Sequence, residues 1–142
     1  MAKIVALNEM SNKKLEEMLE NAREEMFNLR FQRASARLED YSRIRQVRRE
    51  VAQVQTVLRL RQLAIEAAAV EPEMASALSG NTWQATASFD YEESRWRVEF
   101  TDEDNSLLGS ALVDLNKKRP QGRRARQEKP QPRLVTSYEV AR

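Results

Sequence analysis

Apolar side chains recur at Leu15, Leu19, Ala22, Met26 and Leu29, alternately four and three residues apart. A helix turns by about 100° per residue, so this spacing lines them along one stripe and predicts a helix over residues 12–38. Ser11 supplies an N-cap, although Lys14 stands where a capping box would place an acid. Residues 42–69 repeat the pattern through Ile44, Val47, Val51, Val54 and Leu58. Between the two, the short stretch "ARLEDYS" offers Asp40 as a cap for the second helix and forces the chain to double back. Two matching seams joined by a short turn predict a long antiparallel two-helix hairpin. Burying about five mid-sized side chains per helix, at roughly 1.5–3 kcal/mol each, is offset by ordering entropy, so such a hairpin gains stability from a partner.

Past "EAAAVEPEMASALSG" the period changes to two. In "TWQATASFDY", Trp83, Ala85, Ala87, Phe89 and Tyr91 alternate with polar neighbours, the pattern of a strand with one covered face. "RWRVEFT" alternates again through Trp96, Val98 and Phe100, "EES" is short enough for a hairpin turn, and "SLLGSALVDL" suits a third strand. The remainder, "NKKRPQGRRARQEKPQPRLVTSYEVAR", mixes prolines, glutamines and bases and is expected to be disordered in isolation. The expected fold is mainly α: a helical hairpin at 1–69, a linker at 70–81, a small antiparallel β-hairpin or meander at 82–115 and a basic flexible tail at 116–142.

Composition narrows the chemistry. The 142 residues include no cysteine and no histidine, which removes disulfides, thiolate nucleophiles, the usual zinc ligand sets and imidazole catalysis. Scattered Asp and Glu are the remaining acid/base candidates, and the three glycines form no phosphate-cradling loop, so neither an enzyme nor a cofactor is expected. The net charge of +2 conceals two opposed blocks. Between Phe89 and Asn105, Asp90, Glu92, Glu93, Glu99, Asp102, Glu103 and Asp104 face only Arg95 and Arg97. Between Asn116 and Arg133, Lys117, Lys118, Arg119, Arg123, Arg124, Arg126, Lys129 and Arg133 face only Glu128. No apolar run approaches the ~20 residues of a membrane span, and "MAKIVALNE" lacks the apolar core of a secretory signal. A soluble intracellular protein without a small-molecule substrate is the expectation.

On the second helix, Arg45, Arg48, Arg49 and Arg59 rotate to a flank away from the apolar seam. Such a stripe is either a solvated face balanced by acids or a surface that follows a phosphate backbone. Few acids lie close to it; Glu50 is the clearest, and Glu16, Glu17, Glu20, Glu24 and Glu25 lie mainly toward the N-terminal half of the first helix. Phe27, Phe31, Ala34 and Leu38 form a second apolar stripe, suited equally to packing against the C-terminal sheet or to docking on RNA or a neighbouring protein.

The stretches "LEEMLENAREEMFNLRFQRASARLE" and "SRIRQVRREVAQVQTVL", above all "FNLRFQ" and "SRIRQVRREVA", resemble the large-subunit ribosomal protein twenty-nine family over residues 7 to about 64. That resemblance implies an antiparallel helical hairpin lying on large-subunit rRNA near the outlet of the peptide exit tunnel, beside ribosomal protein twenty-three. It further implies an architectural role without catalysis, in a neighbourhood where nascent-chain chaperones and targeting factors dock. The family's RNA-facing motif positions correspond here to Asn28, Arg30 and Gln32 in the first helix and to Ser42, Arg43, Arg45, Arg48 and Arg49 in the second. Glycine and proline, frequent around the family's turn, are replaced by Ala36 and Tyr41. The tail cations Lys117, Lys118, Arg119, Arg123, Arg124 and Arg126 are expected to add rRNA contacts that order only on binding. Recognition should run through backbone and shape, arginine being favoured for its bidentate fit to phosphate. The competing reading is a helical interaction module without RNA, supported by the heptad-like seams.

Overall fold

Two capping side chains start the long helices. Ser11 Oγ accepts the Lys14 N–H at 3.3 Å at the head of α2 (Asn12–Ala34). The Asp40 carboxylate accepts the Ser42 N–H at 2.8 Å at the head of α3 (Ser42–Ala69), and the bonds from Ser42 hold its pKa below the ordinary carboxylate value. A short α1 (Ile4–Glu9) precedes both. The computed structural model describes residues 4–118 and 120–141, and the chain divides into two units, Met1–Arg59 and Leu60–Arg142.

In the first unit, α2 and α3 run antiparallel because their seams zip in opposite order. Leu15, near the start of α2, packs with Val54 and Val57, whereas Ala22, Met26 and Leu29 pack with Val47 nearer the start of α3. Leu7 of α1 joins the Leu15 cluster, an element that the four-three spacing, which begins at Leu15, gives no sign of. Helix α2 ends at Ala34, short of the expected residue 38. Its end is a Schellman motif: the Arg37 N–H donates to the Gln32 carbonyl at 2.9 Å and the Ala36 N–H to the Arg33 carbonyl at 3.2 Å. This closure puts Ala36 at φ 55, the left-handed region that glycine occupies without strain.

In the second unit a four-stranded antiparallel sheet runs in chain order, β1 (Trp83–Asp90), β2 (Arg95–Asp102), β3 (Leu107–Val113) and β4 (Val135–Val140). The first three strands match the alternation: Ala87, Trp96, Val98, Phe100, Ala111 and Val113 are buried on one face. Ala87 lies opposite Val98 and Phe89 opposite Trp96, so the two alternations share a face. Phe89 and Trp96 meet edge to face at 5.3 Å.

Two expectations are corrected here. Residues 70–81 are not a bare linker but carry α4 (Pro72–Leu78), with Pro72 in its first turn and Gly80, at φ 85, just past its end. The tail is not wholly disordered: it holds α5 (Arg123–Glu128) and β4, whose Val135 is buried against the sheet core. The sheet is therefore larger than a small hairpin or meander. Its apolar face is covered within its own unit by Ala64 and Ala68 of α3 and by Met74 and Leu78 of α4. Gly109 lets α4 approach β3, since a Cβ there would meet Met74 Sδ at 2.8 Å and the Glu139 carbonyl at 3.0 Å. Among the described residues, no helix is long and apolar enough to cross a membrane.

Three stability outcomes follow from these caps and contacts. Ala36→Gly relieves a left-handed alanine, worth about 1–2 kcal/mol, against a loss of about 0.4–1 kcal/mol through the more flexible unfolded chain, so denaturant unfolding should show a net gain below about 1.5 kcal/mol. Gly109→Ala should cost about 1–3 kcal/mol, because the Met74 side chain can yield but the β4 backbone cannot. The lowered pKa of Asp40 means that its carboxylate stabilises the fold above its unfolded pKa and ceases to do so as pH falls through the folded value. Amide exchange at the start of α3 should thus separate Asp40→Ala from the parent at about pH 6, and the separation should shrink as pH falls through the lowered folded value, below which the carboxyl is protonated in both states.

Candidate nucleic-acid interface

The antiparallel seam fixes the rotational phase of every arginine in the first unit. Arg23, Phe27 and Arg30 fall within about 60° of one another around α2, and on α3 Arg48, Ala52 and Gln55 fall within a similar arc. These two faces bound a groove of about 410 Å³ floored by Met26 and Val51. Three guanidinium groups thus border a single concavity, and Phe27 projects there with 70% of its surface exposed. None of Arg23, Arg30 and Arg48 forms an ion pair among the described residues. Cations interleaved with an exposed aromatic can neutralise phosphate and present a stacking surface at once.

The anticipated positions separate in space. Arg30 and Arg48 share the groove. Arg45 and Arg49 are exposed on α3, each without an ion pair among the described residues, but they point farther from α2 and do not line the groove. Asn28 and Gln32 are exposed on α2 at about 160° from Arg30, so a surface that fills the groove does not meet them frontally. Ser42 is spent on the Asp40 cap.

Arg43 is different again. Its Nε donates to Glu25 Oε1 at 2.5 Å and its Nη2 to Glu25 Oε2 at 2.9 Å, a bidentate pair that bridges the helices on the side away from the groove. The bonds from Glu25 raise the Arg43 pKa, so this cation is engaged inside the hairpin rather than displayed with Arg45, Arg48 and Arg49. The second apolar stripe also divides. Leu38 packs against the Ala22–Val47 cluster, while Phe27 and Phe31 stay 70% and 65% exposed.

In the second unit the tail cations are similarly sorted. Lys118 and Arg126 line a cavity of about 480 Å³ together with Lys129. Arg123 and Arg124 open α5 and are exposed. Lys117 is turned inward, its ammonium donating to the Arg133 carbonyl at 2.5 Å. Arg133 forms an ion pair with Glu71, which raises its pKa, and lies 5.8 Å over the Tyr138 ring. Arg119 lies outside the described residues. Arg23 is the residue that the anticipated set lacks, although its spacing of four and seven from Phe27 and Arg30 marks the shared face.

Fold and site together define a helical-hairpin protein with a cationic, aromatic-bearing groove, extended by a small sheet unit. Residues 6–61 match the family model described as Ribosomal L29 protein. The chain is similar to the large ribosomal subunit protein uL29 of Natranaerobius thermophilus, 48% identical over 59 residues that cover 42% of this chain and 91% of that relative. It is likewise similar to uL29 of Mycobacterium ulcerans, 46% identical over 67 residues covering 47% and 84% of the two chains. Against uL29 of Geobacillus stearothermophilus it is 43% identical over 58 residues, covering 41% and 88%. The chain belongs to the Ribosomal L29 protein family. No solved structure matches it.

Proposed function

We propose that this chain is a structural constituent of the large ribosomal subunit, with its first unit lying on large-subunit rRNA near the exit of the peptide tunnel, beside ribosomal protein twenty-three. Family membership supports the subunit, and the convergence of Arg23, Arg30 and Arg48 around Phe27 supports a polyanion as the surface contacted. The groove cations neutralise phosphates while Phe27 stacks on a base or packs on a sugar edge. Arg45 and Arg49 extend the positive surface along α3, and Lys118, Arg123, Arg124 and Arg126 supply a second set of phosphate contacts from the other unit. The protein acts by binding and positioning, not by chemistry, on ribosomes in the cytoplasm.

A defined rRNA fragment tests this reading through the salt dependence of binding. Each phosphate contact contributes a log-log slope of roughly −0.7 to −0.9, so combining Arg23→Gln, Arg30→Gln and Arg48→Gln should flatten the slope by roughly two to three. Replacing Glu25 and Arg43 together by glutamine, which removes a pair already closed on itself, should leave the slope unchanged. Phe27→Ala should weaken binding by about 1–3 kcal/mol without altering the slope, because stacking releases no counterions. An unchanged slope in the triple variant, together with its normal incorporation into the large subunit, would overturn the assignment.

A further inference from the structure

The sheet of the second unit ends on one side in an unguarded strand. Among the described residues β1 pairs with β2 alone, so one row of its backbone N–H and C=O groups is available to another chain. Proteins usually blunt such edges with Lys, Pro, a bulge or a short strand. β1 has none of these from Trp83 to Phe89: it is eight residues long, uncharged until Asp90, and in unbroken register with β2 from Trp83↔Asp102 to Asp90↔Arg95. The opposite edge is guarded better. β4 has six residues, follows Pro130 and Pro132, and shifts register against β3 near Val113.

Side chains make the edge selective. On the core-facing side of β1, the small Ala85 and Ala87 lie between the larger Trp83 and Phe89. Beside Trp83, Asp102 and the turn residues Glu103 and Asp104 form no ion pair with any cation among the described residues. At the far end, Arg97 holds Asp90 at 2.7 Å and Arg95 holds Glu93 at 3.6 Å, leaving the Glu92 carboxylate uncompensated. The negative potential is thus strongest at the Trp83 end. A second copy pairing antiparallel through β1 would set this acidic end against its partner's Asp90 end, where Glu92 adds a like charge and the cations Arg95 and Arg97 are already held by Glu93 and Asp90, so self-pairing lacks the complementary charge that a basic strand brings, and a nucleic acid would be repelled.

We propose that the free edge of β1 is a strand-addition site for an extended basic polypeptide. The partner runs antiparallel to β1, contributes about eight residues with alternating apolar side chains, and carries its Lys or Arg cluster at the C-terminal end, next to Asp102, Glu103 and Asp104. Main-chain hydrogen bonds provide affinity, and the charge gradient sets direction.

The probe is a labelled synthetic peptide with an alternating valine–threonine run followed by three lysines, titrated against the full chain. Binding should protect amides within residues 83–90 from exchange and alter Trp83 fluorescence. Affinity should fall at least tenfold when alternate peptide amides are N-methylated, a change that leaves the protein untouched. A fall of similar size is expected when the lysines precede the run, or when Glu103→Lys and Asp104→Lys reverse the exposed turn. Equal binding by the N-methylated peptide, protection confined to other residues, protection of β1 by an RNA oligonucleotide, or self-association through β1 would each overturn the proposal.

Discussion

The zip between α2 and α3 determines the rest of the first unit. Leu15 against Val54 and Val57 at one end, and Met26 and Leu29 against Val47 at the other, leave the helices a single register and a single rotational phase. Slipping either helix by one residue would rotate its polar side chains by about 100° and disperse the arginines that now converge. The apolar contacts therefore contribute cohesion and also aim the cations. The caps at Ser11 and Asp40 and the Schellman closure at Ala36 fix where the zip begins and ends.

Packing within each unit also sorts the charges. Some cations satisfy the fold: Arg43 clamps Glu25, Lys117 holds the Arg133 carbonyl, and Arg133 binds Glu71. Others, Arg23, Arg30 and Arg48 in the groove and Lys118, Arg126 and Lys129 around the tail cavity, stand where their charge is available to an anion. Composition alone cannot draw this line, because an arginine in a bidentate pair and one facing solvent are the same letter. The distinction is energetic: a cation already closed on a carboxylate must give up that partner before it can bind phosphate.

Much of the architecture was legible because periodicity encodes faces. The four-three seams gave the hairpin, and strict alternation in "TWQATASFDY" and "RWRVEFT" gave β1 and β2 with the correct inner face. α4 was missed although Pro72 and Gly80 punctuate it, since a seven-residue helix is too short for its period to register. β4 was missed because "VTSYEV" alternates for only six residues and sits beside a proline-rich basic stretch whose composition dominates the reading. In the site, the pairing of Arg43 with Glu25 could not be read from spacing: the two are eighteen positions apart and meet only once the antiparallel register is fixed. Arg23 is legible in the sequence, since rotation places it with Phe27 and Arg30 on one face of α2.

The Glu25–Arg43 clamp has a geometric consequence. It withdraws one guanidinium group on the side of the hairpin away from the groove, while Arg23, Arg30 and Arg48 at the groove keep theirs without an ion pair among the described residues, so the two sides of the first unit differ in available positive charge. A rod with charge on all sides could settle on an anionic surface after any roll about its long axis. On the proposed reading, a pair closed between the two helices would help set which side of the hairpin turns toward the polyanion.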